Sequence, residues 1–191
     1  MRWWVARGLL AITGWKPEGV RPDPASCVLI AAPHTTNWDF PYLLIFAAYF
    51  ELEIRWMGKH SLFRPPMGWV MRAFGGIPVV RSRRENVVDA MARSFKEHDR
   101  LILVVPAEGT RSRGDYWKSG FYHIARLADV PIVMSYLDYT KKRGGFAPAF
   151  RLSGDMGTDM DRVRDFYGDK EGKYPANFSA IRLREEDAIT P

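Results

Sequence analysis

Apolar residues in this chain fall into two kinds of stretch. Short unbroken runs, such as Cys27–Ala32 and Leu101–Val105, read as strands buried on both faces. Between them lie stretches in which apolar residues recur every three or four positions, the mark of a helix with one buried face. Taken in order, the pattern predicts a short helix over residues 1–14, ended by Gly14, and then a proline-bearing linker over 16–26. A strand at 27–32, a helix at 40–50 and a second strand at 54–58 follow. Met67, Val70, Met71 and Phe74 form one helical face, and Gly75-Gly76 stops that helix. Ile77–Val80 reads as a short strand whose Pro78 places it at an edge or a strand end. A helix at 85–98, the strand at 101–105, a helix at 119–128 and a strand at 131–136 complete the alternation. Phe146–Leu152 is expected as a strand and Thr158–Tyr167 as a helix, whereas the last twenty residues have no strong periodicity. No repeat or long linker divides the chain. Residues 1–191 are therefore expected to form one α/β domain, with a mixed, mostly parallel sheet flanked by helices.

Composition narrows the picture. A 47% hydrophobic and 26% charged chain of 191 residues can bury a sizeable core. The single cysteine, Cys27, lies in an expected core strand, which excludes a disulfide framework. The longest clean apolar run, Phe40–Phe50, is too short for a bilayer span of about 20 residues. The N-terminus lacks the apolar core and small-residue site of a signal peptide. A formal charge of +6, with 14 Lys/Arg against 6 Asp/Glu between Arg55 and Arg126, points to an anionic partner. Without a basic tail or an aromatic RNA-binding motif, nucleic acid is not expected. Trp3, Trp4, Leu10 and Ile12 with Arg2 and Arg7 suit a membrane interface. The alternative is that the same helix packs its tryptophans on its own domain.

Candidate chemistry sits where strands end. His34 and Asp39 stand between the strand at 27–32 and the following helix. Their five-residue spacing would point them about 140° apart on a helix, so they meet only across a turn. Pro33, Thr35, Thr36 and Asn37 favour that turn, and any of the last three can cap the helix. A carboxylate touching a histidine fixes its tautomer and raises its basicity, giving a base for a hydroxyl. The alternative is a solvated loop histidine beside a helix-capping aspartate. Arg81 and the loop Glu108-Gly-Thr-Arg111 follow other strands, and in a parallel sheet these ends share one rim. Arg81 and Arg111 can hold a phosphate through bidentate hydrogen bonds, Gly109 admits close backbone approach, and Thr110 can donate. Each arginine alone could equally be a surface charge, and Glu108 a partner for one of them. His34, His60, His98 and His123 have no metal-ligand spacing, and no nucleophile elbow, Walker loop or dinucleotide loop is present.

His34-Thr-Thr-Asn-Trp-Asp39 resembles the His-x-x-x-x-Asp block of the glycerophospholipid acyltransferases, the lysophosphatidic acid acyltransferase family. Gly75-Gly-Ile-Pro-Val-Val-Arg81, Glu108-Gly-Thr-Arg-Ser112 and Val130-Pro-Ile-Val133 resemble that family's second, third and fourth blocks, in family order, across residues 27–136. Lys59 falls where the family has a lysine after the second strand. The resemblance implies transfer of a fatty acyl chain from an acyl thioester, acyl-CoA or acyl-ACP, to the hydroxyl of a lysophospholipid such as 1-acylglycerol-3-phosphate. It implies no metal or other cofactor, His34 as general base, and Asp39 as its orienting group. It also implies that Lys59, Arg81, Glu108, Gly109, Thr110 and Arg111 bind substrate, and that the protein sits peripherally on the cytoplasmic side of an anionic membrane. Pro33, Pro78 and Ala107 depart from the commoner family residues and leave the acceptor open to another lysolipid, an aminolipid or a glycolipid. A non-catalytic lipid-binding protein of the same fold is the rival from another class, and a metal-dependent hydrolase is a further one.

Overall fold

The computed structural model describes residues 2–79 and 84–188. Its seven strands are β1 (Lys16–Gly19), β2 (Cys27–Ala31), β3 (Ile54–Lys59), β4 (Gly76–Val79), β5 (Ile102–Pro106), β6 (Ile132–Asp138) and β7 (Arg143–Phe146). They form one sheet in the order β1-β7-β6-β2-β5-β3-β4. All pairings are parallel except β6 with β7. The two apolar runs that read as buried strands, β2 and β5, lie side by side at the centre, with Cys27, Val28, Leu29 and Ile30 fully buried.

Helices cover both faces. α1 (Arg2–Thr13), α2 (Asp39–Tyr49) and α3 (Met67–Ala73) lie on one side, where Leu10, Phe46 and Phe63 share a core with Leu29 and Val104. A 3₁₀ turn at His60–Phe63 precedes α3 on that side. α4 (Arg84–Glu97), α5 (Gly120–Ala128) and α6 (Met156–Tyr167) lie on the other side, burying Phe95, Phe121, Ile124 and Val163 against Val28 and Leu103. The two sides differ in their outward chemistry. α4 and α6 turn charges such as Asp89 and Asp161 to solvent, as amphipathic surface helices do. α1 instead buries Ala6 and Leu10 while leaving Trp4, Val5, Leu9 and Ile12 exposed, so it is apolar on both faces.

Several expectations are corrected. The proline-bearing linker contains β1, which pairs in parallel with β7 at the sheet edge (Pro17 opposite Gly144). The last strand is Arg143–Phe146 rather than 146–152, and Phe150 keeps only an isolated bridge to Ile132. β4 is the edge strand that Pro78 foretold. The apolar face of α3 is periodic as expected but not fully buried: Met67 and Phe74 are each about half exposed. Among the described residues no helix is long and apolar enough to cross a membrane.

Candidate active site

The parallel register sets the site. Ala31 of β2 lies opposite Pro106 of β5 and Ser135 of β6, so the loops that follow β2 and β5 leave the sheet as neighbours. β3 joins on the other side of β5 (Trp56 opposite Val104), which brings its terminal Lys59 to the same rim. This is the carboxyl-end crevice at which open α/β sheets bind ligands.

The loop from Ala32 to Trp38 makes the turn that the five-residue spacing required, and it brings His34 Nδ1 to 3.3 Å from Asp39 Oδ2. Both side chains are largely shielded, at 18% and 7% exposure. With Nδ1 facing the carboxylate, Nε2 is the ring nitrogen left for a substrate. None of Thr35, Thr36 and Asn37 caps α2, whose N-cap position is Trp38 without a side-chain bond. The bond runs the other way: the Thr36 N–H donates to Asp39 Oδ2 at 2.9 Å.

Asp39 has a further partner that the sequence did not flag. Tyr139, in the turn after β6, donates its hydroxyl to Asp39 Oδ1 at 2.8 Å. Its ring is fixed against Trp15 and Tyr42, at 5.0 and 6.2 Å between centroids. Burial, and then the Asp39 charge, push the phenol far above its ordinary range, so it stays a donor. Both carboxylate oxygens are therefore held, and Asp39 keeps one orientation toward His34. Tyr139→Phe removes a bond to a charged acceptor. Its expected effect is a roughly tenfold fall in kcat with the acceptor KM unchanged, the scale of a ~1.5 kcal/mol charge-assisted bond. Steady-state kinetics on the purified variant check this, and an unchanged kcat would deny the tyrosine its positioning role.

Glu108 is buried and makes no ion pair with an arginine among the described residues. It is 1% exposed, and its two oxygens accept the backbone N–H of His34 at 2.6 Å and of Ser179 at 3.1 Å. Burial raises its carboxyl above the ordinary value, opposed by those two N–H groups. The carboxylate thus joins the loop bearing His34 to a C-terminal segment. A neighbouring bond, Tyr174 N–H to Thr35 Oγ1 at 3.3 Å, does the same.

A cavity of about 840 Å³ opens at this rim. Its polar end is lined by His34, Asp39, Lys59, Gly109, Thr110 and Arg111, while Phe40, Leu43, Phe46, Trp56 and Phe146 line an apolar end between α2 and the sheet. Glu108 is not in the lining. Lys59 and Arg111 are exposed and make no ion pair among the described residues. Gly109 adopts φ 70°, the left-handed region in which a side chain is strained. Arg81 lies outside the described residues. Among those described, no group of three or more His, Cys, Asp or Glu side chains is placed to hold a metal ion.

The chain is similar to known proteins at two levels, fold and sequence. The fold is similar to the crystal structure of the 1-acyl-sn-glycerophosphate (LPA) acyltransferase PlsC from Thermotoga maritima, with a TM-score of 0.56 and 16% identity over 90% of this chain and 80% of that one. No curated protein sequence matches the chain significantly. The acyltransferase family model matches residues 17–137, a span running from β1 to the end of β6 and containing His34, Asp39 and the Glu108–Arg111 loop. By that match the chain belongs to the acyltransferase family.

Proposed function

We propose that the protein is an O-acyltransferase that moves a fatty acyl chain from acyl-CoA or acyl-ACP to the hydroxyl of a lysophospholipid, with 1-acylglycerol-3-phosphate as the acceptor. The observation that carries this reading is one cavity with two chemistries: a His–Asp pair and unpaired cations at one end, and apolar walls at the other. The apolar end takes an acyl chain, and the cations Lys59 and Arg111 take a phosphate. Arg81 would join them by its place in the sequence.

In the reaction, His34 Nε2 accepts the acceptor's hydroxyl proton as that oxygen attacks the thioester carbonyl carbon. The C–O bond forms, the C–S bond breaks, and the thiolate leaves with the proton from His34. Asp39, held by Thr36 and Tyr139, stabilises the imidazolium between the two proton transfers. No covalent acyl-enzyme is needed.

The protein works on a membrane, peripherally and on its cytoplasmic side. α1 supports this in part. Trp4 and Ile12 face outward, 70% and 84% exposed, whereas Trp3 stacks on Tyr49 of α2 at 5.9 Å and Leu10 is buried. Core packing therefore accounts for one face of this helix, and the outer face is the one we assign to the membrane interface. Deleting residues 1–14 would disturb both, so substitutions at Trp4 and Ile12 are the cleaner test of the outer face.

The acceptor is tested with a panel of lysolipids, each offered with both donors, and products read by mass spectrometry. Wild type is expected to prefer a phosphate-bearing lysolipid over its dephosphorylated monoacylglycerol analogue. Arg111→Ala should raise the acceptor KM about 10- to 100-fold, the scale of a guanidinium–phosphate pair, leave the donor KM little changed, and abolish the preference. Arg111→Lys should rescue only in part, because it keeps the charge but not the planar fork. Equal use of both acceptors by wild type would overturn the phosphate assignment.

A further inference from the structure

We propose that the segment Lys59–Phe74 is a lipid-contacting lip beside the cavity mouth, seated on an anionic bilayer surface, across which lipid tails pass into the cavity. This deepens the membrane reading above and places a contact on an element separate from α1.

The segment links β3 to β4 through the 3₁₀ turn His60–Phe63 and α3. Its inward anchors are few. Phe63 is 4% exposed and packs on Trp56, with ring centroids 5.9 Å apart. Gly68 sits so close to the turn that a Cβ there would fall 2.0 Å from the Phe63 carbonyl oxygen, so the turn and helix hold one fixed shape. Large apolar side chains point the other way. Leu62, Met67, Trp69 and Phe74 are 46%, 53%, 70% and 52% exposed. α3 carries a single charge, Arg72, and among the described residues its Met67, Trp69 and Phe74 side chains stay largely open. Four large exposed apolar side chains within thirteen residues suit an interaction site.

Charge names the occupant. No Asp or Glu occurs between Glu53 and Glu85, while Arg55, Lys59, Arg64 and Arg72 all do. These four are exposed and make no ion pair among the described residues; Arg72 lies over the Phe63 ring. An uncompensated set of cations around tryptophan, phenylalanine and methionine matches an anionic headgroup layer. It does not match a second copy of this chain, because a two-fold contact through this face would set like charges together. Position supplies the rest. Lys59, Ser61, Leu62 and Met71 line the cavity, so the lip is one wall of its entrance. A tail that slides over Leu62 from the bilayer reaches the apolar walls without crossing water.

The test uses the full chain. Cys27 is fully buried, so Met67→Cys gives a single accessible thiol for an environment-sensitive nitrobenzoxadiazole label. Leu127→Cys, at a half-exposed position of α5 on the opposite side of the sheet, is the control. With vesicles of phosphatidylglycerol and phosphatidylcholine, emission should shift to the blue at position 67 and not at 127. A Trp69→Ser/Phe74→Ser variant, which alters no cavity-lining residue, should bind those vesicles about tenfold or more weakly, and raised salt should weaken wild type. Its turnover on a water-soluble, short-chain donor and acceptor should stay at the wild-type level, while turnover on vesicle-embedded acceptor falls. The label is read without turnover, so it stands even if the acyltransferase reading fails. The proposal is overturned by no shift at 67, by equal shifts at 67 and 127, by equal binding to pure phosphatidylcholine, or by a shift that follows protein concentration without vesicles, which would indicate a second copy.

Discussion

Replacing His34 with alanine is expected to lower turnover by about 10²–10⁴, the usual contribution of a positioned general base, while leaving the fold intact. The fold should survive because the stabilising contact of this residue is its backbone N–H on Glu108, which alanine retains. The imidazole faces the cavity and Asp39 rather than the core. Asp39→Asn should also be severe, since a neutral amide in place of the carboxylate no longer stabilises the imidazolium that forms when His34 takes a proton. Measurement of kcat, with circular dichroism to confirm folding, decides the matter. A correctly folded His34→Ala protein with near-full activity would rule out base catalysis by this residue.

Glu108→Ala is expected to destabilise the protein more than any change at the cavity surface. It leaves the N–H groups of His34 and Ser179 buried and without an acceptor, at about 1–3 kcal/mol each. For a chain of this size that corresponds to a fall in Tm of about 5–20 °C. Glu108→Gln keeps one acceptor oxygen and should lie between. Activity should fall at temperatures where the variant is still folded, because the loop carrying His34 loses its tether. The resemblance-based role for Glu108, contact with the acceptor, predicts a different outcome: a higher acceptor KM with Tm unchanged. Thermal unfolding and kinetics on the same preparation separate the two.

The parts of this molecule that were legible in sequence are those whose signal lies in side chains. β2 and β5 announce themselves as unbroken apolar runs because both faces are covered, and α4 and α5 by their periodicity. His34, Asp39 and Arg111 stood out by residue type and by their places after strands. β1 did not, since Lys-Pro-Glu-Gly at a sheet edge buries no full residue and its pairing with β7 is carried by backbone. The C-terminal partners of the site were illegible for the same reason: Ser179 and Tyr174 act through N–H groups that every residue but proline has. Tyr139 lies a hundred residues from Asp39, and only the fold brings them together. For α3 the periodicity placed the helix, but period alone does not say whether an apolar face is covered, and Met67 and Phe74 are left half exposed.

The clasp at Glu108 also has a consequence in time. A ribosome delivers Asp138 before Tyr174 and Ser179, so the central strands β2, β5 and β6 are all available before those two residues emerge. The loop bearing His34 can then dock on one oxygen of Glu108, but the second oxygen waits for Ser179 and the Thr35 hydroxyl waits for Tyr174. The helices α1, α2 and α3 are thus synthesised well before the residues that secure the loop bearing His34. The central sheet is likewise complete in sequence before the last two bonds that hold the His34 loop can form.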